Sequence, residues 1–306
     1  MMTTRRILMA AGVAAALIAA TAAAQQAPSN KIKAVATISI IGDLVRNVGG
    51  DRLDVTTLVG PNSDAHVYSP TPGDAKQLAA ATVVFINGLG LEGWMTRLVT
   101  ASGTKAPMVV VSKGVTPRRM PDEDNPGHMV TDPHAWQSVA DAKIYVVNIR
   151  DGLAAADPAG KAVYDANAQA YLGKLDDLDK EITTAIAGIS ADRRKIITTH
   201  DAFGYFGAAY GMSFIAPEGV STDAEPSAKD VARIIRQIRK QKIPAVFLEN
   251  VADPRLMQQI ARETDATIGG KLYSDALSEP AGPAGSYLDM MRHNVREFAK
   301  ALGGRV

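Results

Sequence analysis

Apolar and polar positions follow two periods along this chain, and the two alternate in order. Short β-branched runs at Lys31–Ile38, Leu53–Val59, Thr82–Ile86 and Met108–Val111 read as strands. Stretches around Ile40–Val48, Gly73–Ala80 and Leu91–Thr100 fit helices between them. Strands alternating with helices require crossover connections, hence a parallel sheet with helices on its faces. The alternation then stops. From Ala135 to about Ser190 no strand pattern appears, only two helical stretches divided near Asp157-Pro158. The second sets Val163, Ala166, Ala170, Leu175, Leu178, Ile182 and Ile186 at roughly helical spacing. A helix of about 30 residues spans on the order of 45 Å, enough to run the height of a small domain.

Alternation resumes with strands at Lys195–Thr199, Met212–Ile215, Ala245–Leu248 and Ala266–Gly269. Helices are expected at Asp201–Tyr210, at Ser227–Gln241, after Asp253-Pro254, and at Ser286–Leu302. The predicted architecture is α/β: two doubly wound lobes, residues 31–156 and 191–306, joined by a long rigid helix within residues 157–190.

Residues 1–24 stand outside this pattern. Arg5 and Arg6 precede an apolar stretch, Ile7 to Ala20, and small residues follow up to Ala24. That order predicts a cleaved signal peptide and export to the periplasm. The apolar run is too short and alanine-rich to span a bilayer comfortably. Charge is nearly balanced, 33 basic against 32 acidic residues, so neither nucleic acid nor a polybasic membrane patch is indicated. There is no cysteine, which excludes disulfides, thiolate zinc sites, iron–sulfur clusters and a lipidated N-terminal cysteine. Any metal must be held by histidine and carboxylate.

Five histidines are present, and three of them follow predicted strands: His66, His134 and His200. In open parallel sheets ligands bind beyond the carboxyl ends of the strands. Three imidazoles suit zinc and its neighbours and need a fourth donor to close a tetrahedral site. Asp275, just past the Ala266 strand, is placed for that role, although position alone leaves other acids open. Asp64 and Asp132 each precede a histidine by two residues, fitting either an acceptor that orients the imidazole or a loop cap. His128 reads as a loop residue, His293 as solvent-exposed and Glu249 as structural.

The segments Asp64-Ala65-His66-Val67-Tyr68-Ser69-Pro70, Asp132-Pro133-His134-Ala135-Trp136, His200-Asp201-Ala202-Phe203-Gly204-Tyr205-Phe206 and Leu272-Tyr273-Ser274-Asp275-Ala276-Leu277-Ser278 occur in this order. With them the chain resembles the zinc- and manganese-binding solute-binding proteins of ABC importers, the cluster A-I family, from about Lys31 to its end. The resemblance implies two α/β lobes bridged by a long helix, with one metal ion in the cleft between them. It assigns His66, His134, His200 and Asp275 as ligands, with zinc as the expected ion and manganese as the alternative. It also implies a monomer partnered by a membrane permease with a cytoplasmic ATPase, and a periplasmic metallochaperone as a further candidate partner. Zinc-specific relatives often carry a histidine-rich loop before the second motif; here Pro117 to Met129 is acidic and holds only His128. The family's disulfide is absent too. Manganese-type relatives usually carry glutamate where His200 stands. A zinc hydrolase needs an open coordination position and a nearby base. No HExxH or HxxEH pattern is present, so no enzyme is expected. An adhesin would expose a large apolar patch, for which the sequence gives no sign.

Overall fold

The computed structural model describes residues 31–121, 127–223 and 226–304. The leader read from residues 1–24 and the acidic stretch 122–126 lie outside them. The first half runs β1 (Ile32–Ile38), α1 (Ser39–Gly49), β2 (Leu53–Val59), α2 (Pro72–Ala79), β3 (Val83–Ile86), α3 (Met95–Ser102) and β4 (Met108–Val110). These strands form one parallel sheet in the order β2-β1-β3-β4. Central β1 is covered on both faces, which is why Ala34, Val35, Ala36 and Ile38 form a nearly unbroken buried run.

A short antiparallel hairpin follows, β5 (Arg119–Pro121) with β6 (Met129–Thr131), in a stretch whose composition reads as loop. Then come α4 (Val139–Ala156) and α5 (Lys161–Ala187). At 27 residues α5 is about 40 Å long. The corner between them is pinned by Asp157, whose Oδ2 accepts from Arg52 Nε at 2.8 Å and from the Tyr164 hydroxyl at 2.6 Å. The second half contains β7 (Lys195–Ile197), α6 (Gly204–Tyr210), β8 (Ser213–Ile215), α7 (Ala228–Gln241), β9 (Ala245–Glu249), α8 (Arg255–Arg262), β10 (Thr267–Leu272) and α9 (Tyr287–Leu302). Its parallel sheet has the order β10-β9-β7-β8. The molecule is thus an α/β protein of two parallel sheets, and no helix among the described residues is long and apolar enough to cross a membrane.

Helix starts follow local chemistry. Ser138, Ser227 and Ser286 each cap a helix by accepting the amide of an aspartate three residues on. Thr71 and Asp74 close a reciprocal capping box around Pro72. Two helices start later than their periodicity predicts. Gly88, Leu89 and Gly90 take left-handed backbone angles, and half-buried Glu92 accepts from Thr37, Asn87 and Gly88 before α3 begins at Met95. Residues 200–203 form a turn, so α6 begins at Gly204 rather than Asp201.

The main hydrophobic core is shared by both halves. It runs from Ile41 and Val45 of α1 through Tyr145 and Ile149 of α4 and Leu178 and Ile182 of α5 to Met291, Val295 and Phe298 of α9. A smaller core lies between β7 and β9 and the outer helices, from Ile197 and Val246 to Ile234, Ile238, Met257 and Ile260. Phe298 sits where elements meet, its ring 5.4 to 6.2 Å from those of Phe203, Phe206, Phe214 and Phe247. Phe298→Ala should destabilise the ion-free protein by about 3–5 kcal/mol in urea denaturation. A loss under about 1 kcal/mol would contradict tight packing at this point.

Candidate metal centre

Four segments that follow strands at their carboxyl ends meet at one point. His66 comes from the loop after β2, His134 from the turn after β6, His200 from the turn after β7 and Asp275 from the segment after β10. The neighbour of each is fixed by a polar side chain. Trp94 Nε1 donates to the Ala65 carbonyl at 2.9 Å, and its indole packs 5.1 Å from the Tyr68 ring. Asn87 Nδ2 donates to the Pro133 carbonyl at 2.9 Å while its Oδ1 accepts from Tyr145. Asn294 clamps Tyr273 through both backbone groups. Trp136 Nε1 and Gln137 Nε2, in the turn that carries His134, both donate to the Ser274 carbonyl, at 2.9 and 2.8 Å. The last pair ties the His134 turn directly to the segment bearing Asp275.

The four side chains converge through three Nε2 atoms and one carboxylate. His66 Nε2 lies 3.2 Å from His134 Nε2 and 3.2 Å from Asp275 Oδ2. His200 Nε2 lies 3.1 Å from Asp275 Oδ2, and His134 Nε2 lies 3.5 Å from Asp275 Oδ1. In a tetrahedron, ligand–ligand edges are about 1.63 times the metal–ligand bond, so bonds of 2.0–2.1 Å require edges of about 3.3–3.4 Å. These four approaches bracket that figure, and all the ligand atoms lie within 4.8 Å of one another. Among the described residues these four can offer one ligand atom each to a common ion.

Two more carboxylates stand behind the imidazoles. Asp132 Oδ1 accepts the His134 amide at 3.0 Å and lies 2.9 Å from its Nδ1. Glu249 Oε1 accepts the amides of Thr199 and His200, and its Oε2 lies 2.6 Å from His200 Nδ1. Each carboxylate favours the proton on Nδ1 and leaves the Nε2 lone pair facing the centre. Asp132 therefore fills both roles open to it, while Asp64 is a loop cap, accepting the His66 amide at 2.8 Å. Glu249 is a finding of the structure. Ile197 pairs with Val246 across β7 and β9, and His200 and Glu249 each stand three residues beyond that pair. His128 is exposed ahead of β6 and takes no part in the cluster. His293 is half-buried rather than exposed, its Nε2 2.8 Å from the Lys271 carbonyl oxygen and its ring 5.2 Å from that of Tyr273.

The electrostatics follow from this enclosure. Burial alone would push the His134 imidazole down, but Asp275 and Asp132 together raise it to about 9. Burial likewise opposes the charge on His200, and Glu249 and Asp275 outweigh it, holding that imidazole well above its ordinary range. For Asp275 the burial penalty is outweighed by His200 and His134, which keep its carboxyl well below the usual carboxylate range. Without an ion, the centre is a set of proton-sharing pairs.

Comparison with known proteins is consistent along the whole described chain. Residues 34–301 match the family model described as ZnuA, zinc-uptake complex component A, periplasmic. The manganese-binding lipoprotein MntA of Halalkalibacterium halodurans is 34% identical over 271 residues, covering 89% of this chain and 88% of that protein. The iron-binding protein YfeA of Yersinia pestis is 34% identical over 283 residues, covering 92% and 90%. The solved structure of the periplasmic zinc-binding protein TroA from Treponema pallidum superposes with a TM-score of 0.83 at 32% identity, over 90% of this chain and all of that one.

The raised imidazoles make the ion-free fold sensitive to alkali. Protonated His134 contributes stability that is whole below about 6.5, the ordinary imidazole value, and is lost as pH climbs through about 9. Urea midpoints of the ion-free protein should therefore fall between pH 6.5 and 9, and His134→Gln should flatten the profile. A wild-type midpoint that stays level over that range would contradict the pairing.

Proposed function

Because the chain belongs to the zinc-uptake complex component A family, the metal-binding components of periplasmic ABC importers, we propose that it holds one divalent cation on His66, His134, His200 and Asp275. It then passes the ion to a membrane permease driven by a cytoplasmic ATPase. The observation that carries this reading is that three imidazoles and one carboxylate offer ligand atoms all within 4.8 Å of one another, four of the approaches being 3.1–3.5 Å. Four protein donors around one ion leave no open position for a reactive water, so the site is built for holding and not for hydrolysis. The cation is cargo.

We read zinc as the preferred ion. Three neutral nitrogens and one carboxylate make an N-rich site carrying a single negative charge, and intrinsic affinity places zinc above manganese for the same ligands. One observation favours a second reading. Asp275 Oδ1 makes no hydrogen bond and only the 3.5 Å ionic approach to His134 Nε2, and using both carboxylate oxygens would give a fifth donor, which suits manganese better. The relatives named above carry manganese, iron and zinc in their names, so the shared fold is compatible with each. MntA is named a lipoprotein, whereas these 306 residues contain no cysteine to acylate. Export to the periplasm remains our reading of the leader.

Elemental analysis should find one ion per chain. Alanine at His66, His134 or His200 should each weaken binding severely in a chelator-competition titration; unchanged affinity in two of the three would refute the ligand set. Loading must displace the protons held on His134 and His200, so affinity should rise with pH up to about 9 and protons should be released on binding. Titration in buffers of different ionisation enthalpy at pH 7.5 counts them, and a count of zero would refute imidazole ligation. Zinc should outcompete manganese, and His200→Glu should narrow the gap mainly by weakening zinc. Wild-type protein that binds both equally well would favour the five-donor reading.

A further inference from the structure

Of the four donors, His66 is the one with a way out. Its side chain keeps 5% exposure, whereas those of His134, His200 and Asp275 keep none. Whatever holds the His66 loop in place therefore stands between the ion and solvent. From the first half of the chain that loop is backed by Trp94. From the second half it is reached by polar contacts. The Asn62 amide donates to the Leu277 carbonyl at 2.9 Å, Asn250 Nδ2 donates to Asn62 Oδ1 at 3.3 Å, and the Thr222 hydroxyl donates to Asp64 Oδ2 at 2.6 Å.

The Thr222 contact differs from the others in what it connects. Thr222 lies in the irregular segment between β8 and α7, and the same segment is fastened beside His200. The Glu218 amide donates to the Thr199 carbonyl at 3.2 Å, and the Gly219 carbonyl accepts from the Asp201 amide at 3.0 Å. Three residues after Gly219, Thr222 takes hold of Asp64, whose other oxygen accepts the His66 amide at 2.8 Å. The stretch 218–222 is therefore a strap running outside the ion, from the flanks of His200 to the flank of His66. Among the described residues its far end is held to Asp64 by the Thr222 hydroxyl.

Given the ligand set proposed above, we propose that Thr222 is a positioning residue for ion retention: through Asp64 it holds His66 against the site and sets how fast the ion escapes. Asp64 and Thr222 are half-buried, so an unlatched Asp64 Oδ2 can turn to water while its Oδ1 keeps the His66 amide. The ion-free fold then loses little. What is lost is the restraint on the His66 loop, and restraints of this kind appear in the dissociation rate. A hydrogen bond to a carboxylate is among the stronger ones, so its removal should speed release about tenfold or more.

The test uses the full chain loaded with zinc and mixed with excess chelator in a stopped-flow instrument. Thr222→Val keeps the shape and removes the hydroxyl. It should release zinc about tenfold faster or more, with the melting temperature of the ion-free protein unmoved. Thr222→Ser restores the hydroxyl and should return the wild-type rate, which a packing role for the threonine methyl would not allow. Normal zinc uptake with a wild-type release rate in Thr222→Val, or release from Thr222→Ser as fast as from Thr222→Val, would overturn the strap alone. Wild-type protein that takes up neither zinc nor manganese would overturn both this inference and the ligand set beneath it.

Discussion

A fully enclosed carboxylate, Asp275, is the constraint on which the rest of the structure depends. A buried charge is tolerated only when it is paired and its oxygens are engaged. Asp275 is engaged by three imidazoles, two of which are in turn backed by Asp132 and Glu249. In the ion-free protein the favourable charge comes from protons on His134 and His200. A divalent cation that displaces those two protons brings the same two positive charges to the same place. The centre can therefore exchange protons for an ion without changing its net charge, which suits a site that must both fill and empty.

The fold meets this constraint by topology more than by any single strong contact. The loops after β2, β7 and β10, at the carboxyl ends of strands in the two parallel sheets, supply three of the donors, and the β5–β6 hairpin delivers the fourth, His134. Those loops are then fixed by hydrogen bonds from buried side chains to backbone carbonyls: Trp94 to Ala65, Asn87 to Pro133, and Trp136 and Gln137 to Ser274. Such contacts hold distances without adding charge near the ion.

Much of this was legible in the residues because it is local. β-branched runs specify strands such as Leu53–Val59, and the position of a histidine just past a strand end points to the cleft. Glu249 could be read as structural, but its partnership with His200 was illegible for a physical reason: it depends on the register of β9 against β7, which no local pattern encodes. The β5–β6 hairpin escaped because strands of three residues carry too few positions for a period to show. The late starts of α3 and α6 escaped because loop geometry there outweighs helical periodicity: Glu92 folds its own turn, and the His200 turn is set by the centre. Metal preference is least legible of all, since three imidazoles and one carboxylate do not by themselves fix how many oxygens an ion takes.

The shared core has a consequence for how much of the protein is ready to bind at any moment. Swinging the two sheets apart would expose the apolar faces of α5 and α9, which pack together with α1 and α4 in one continuous cluster. At about 25 cal/mol for each Å² uncovered, widely opened molecules are a rare minority. When the competent conformation is rare, apparent affinity falls by the fraction of molecules that hold it. An arrangement that already gathers the four donors keeps that fraction high. A scarce ion is met by molecules already shaped to keep it.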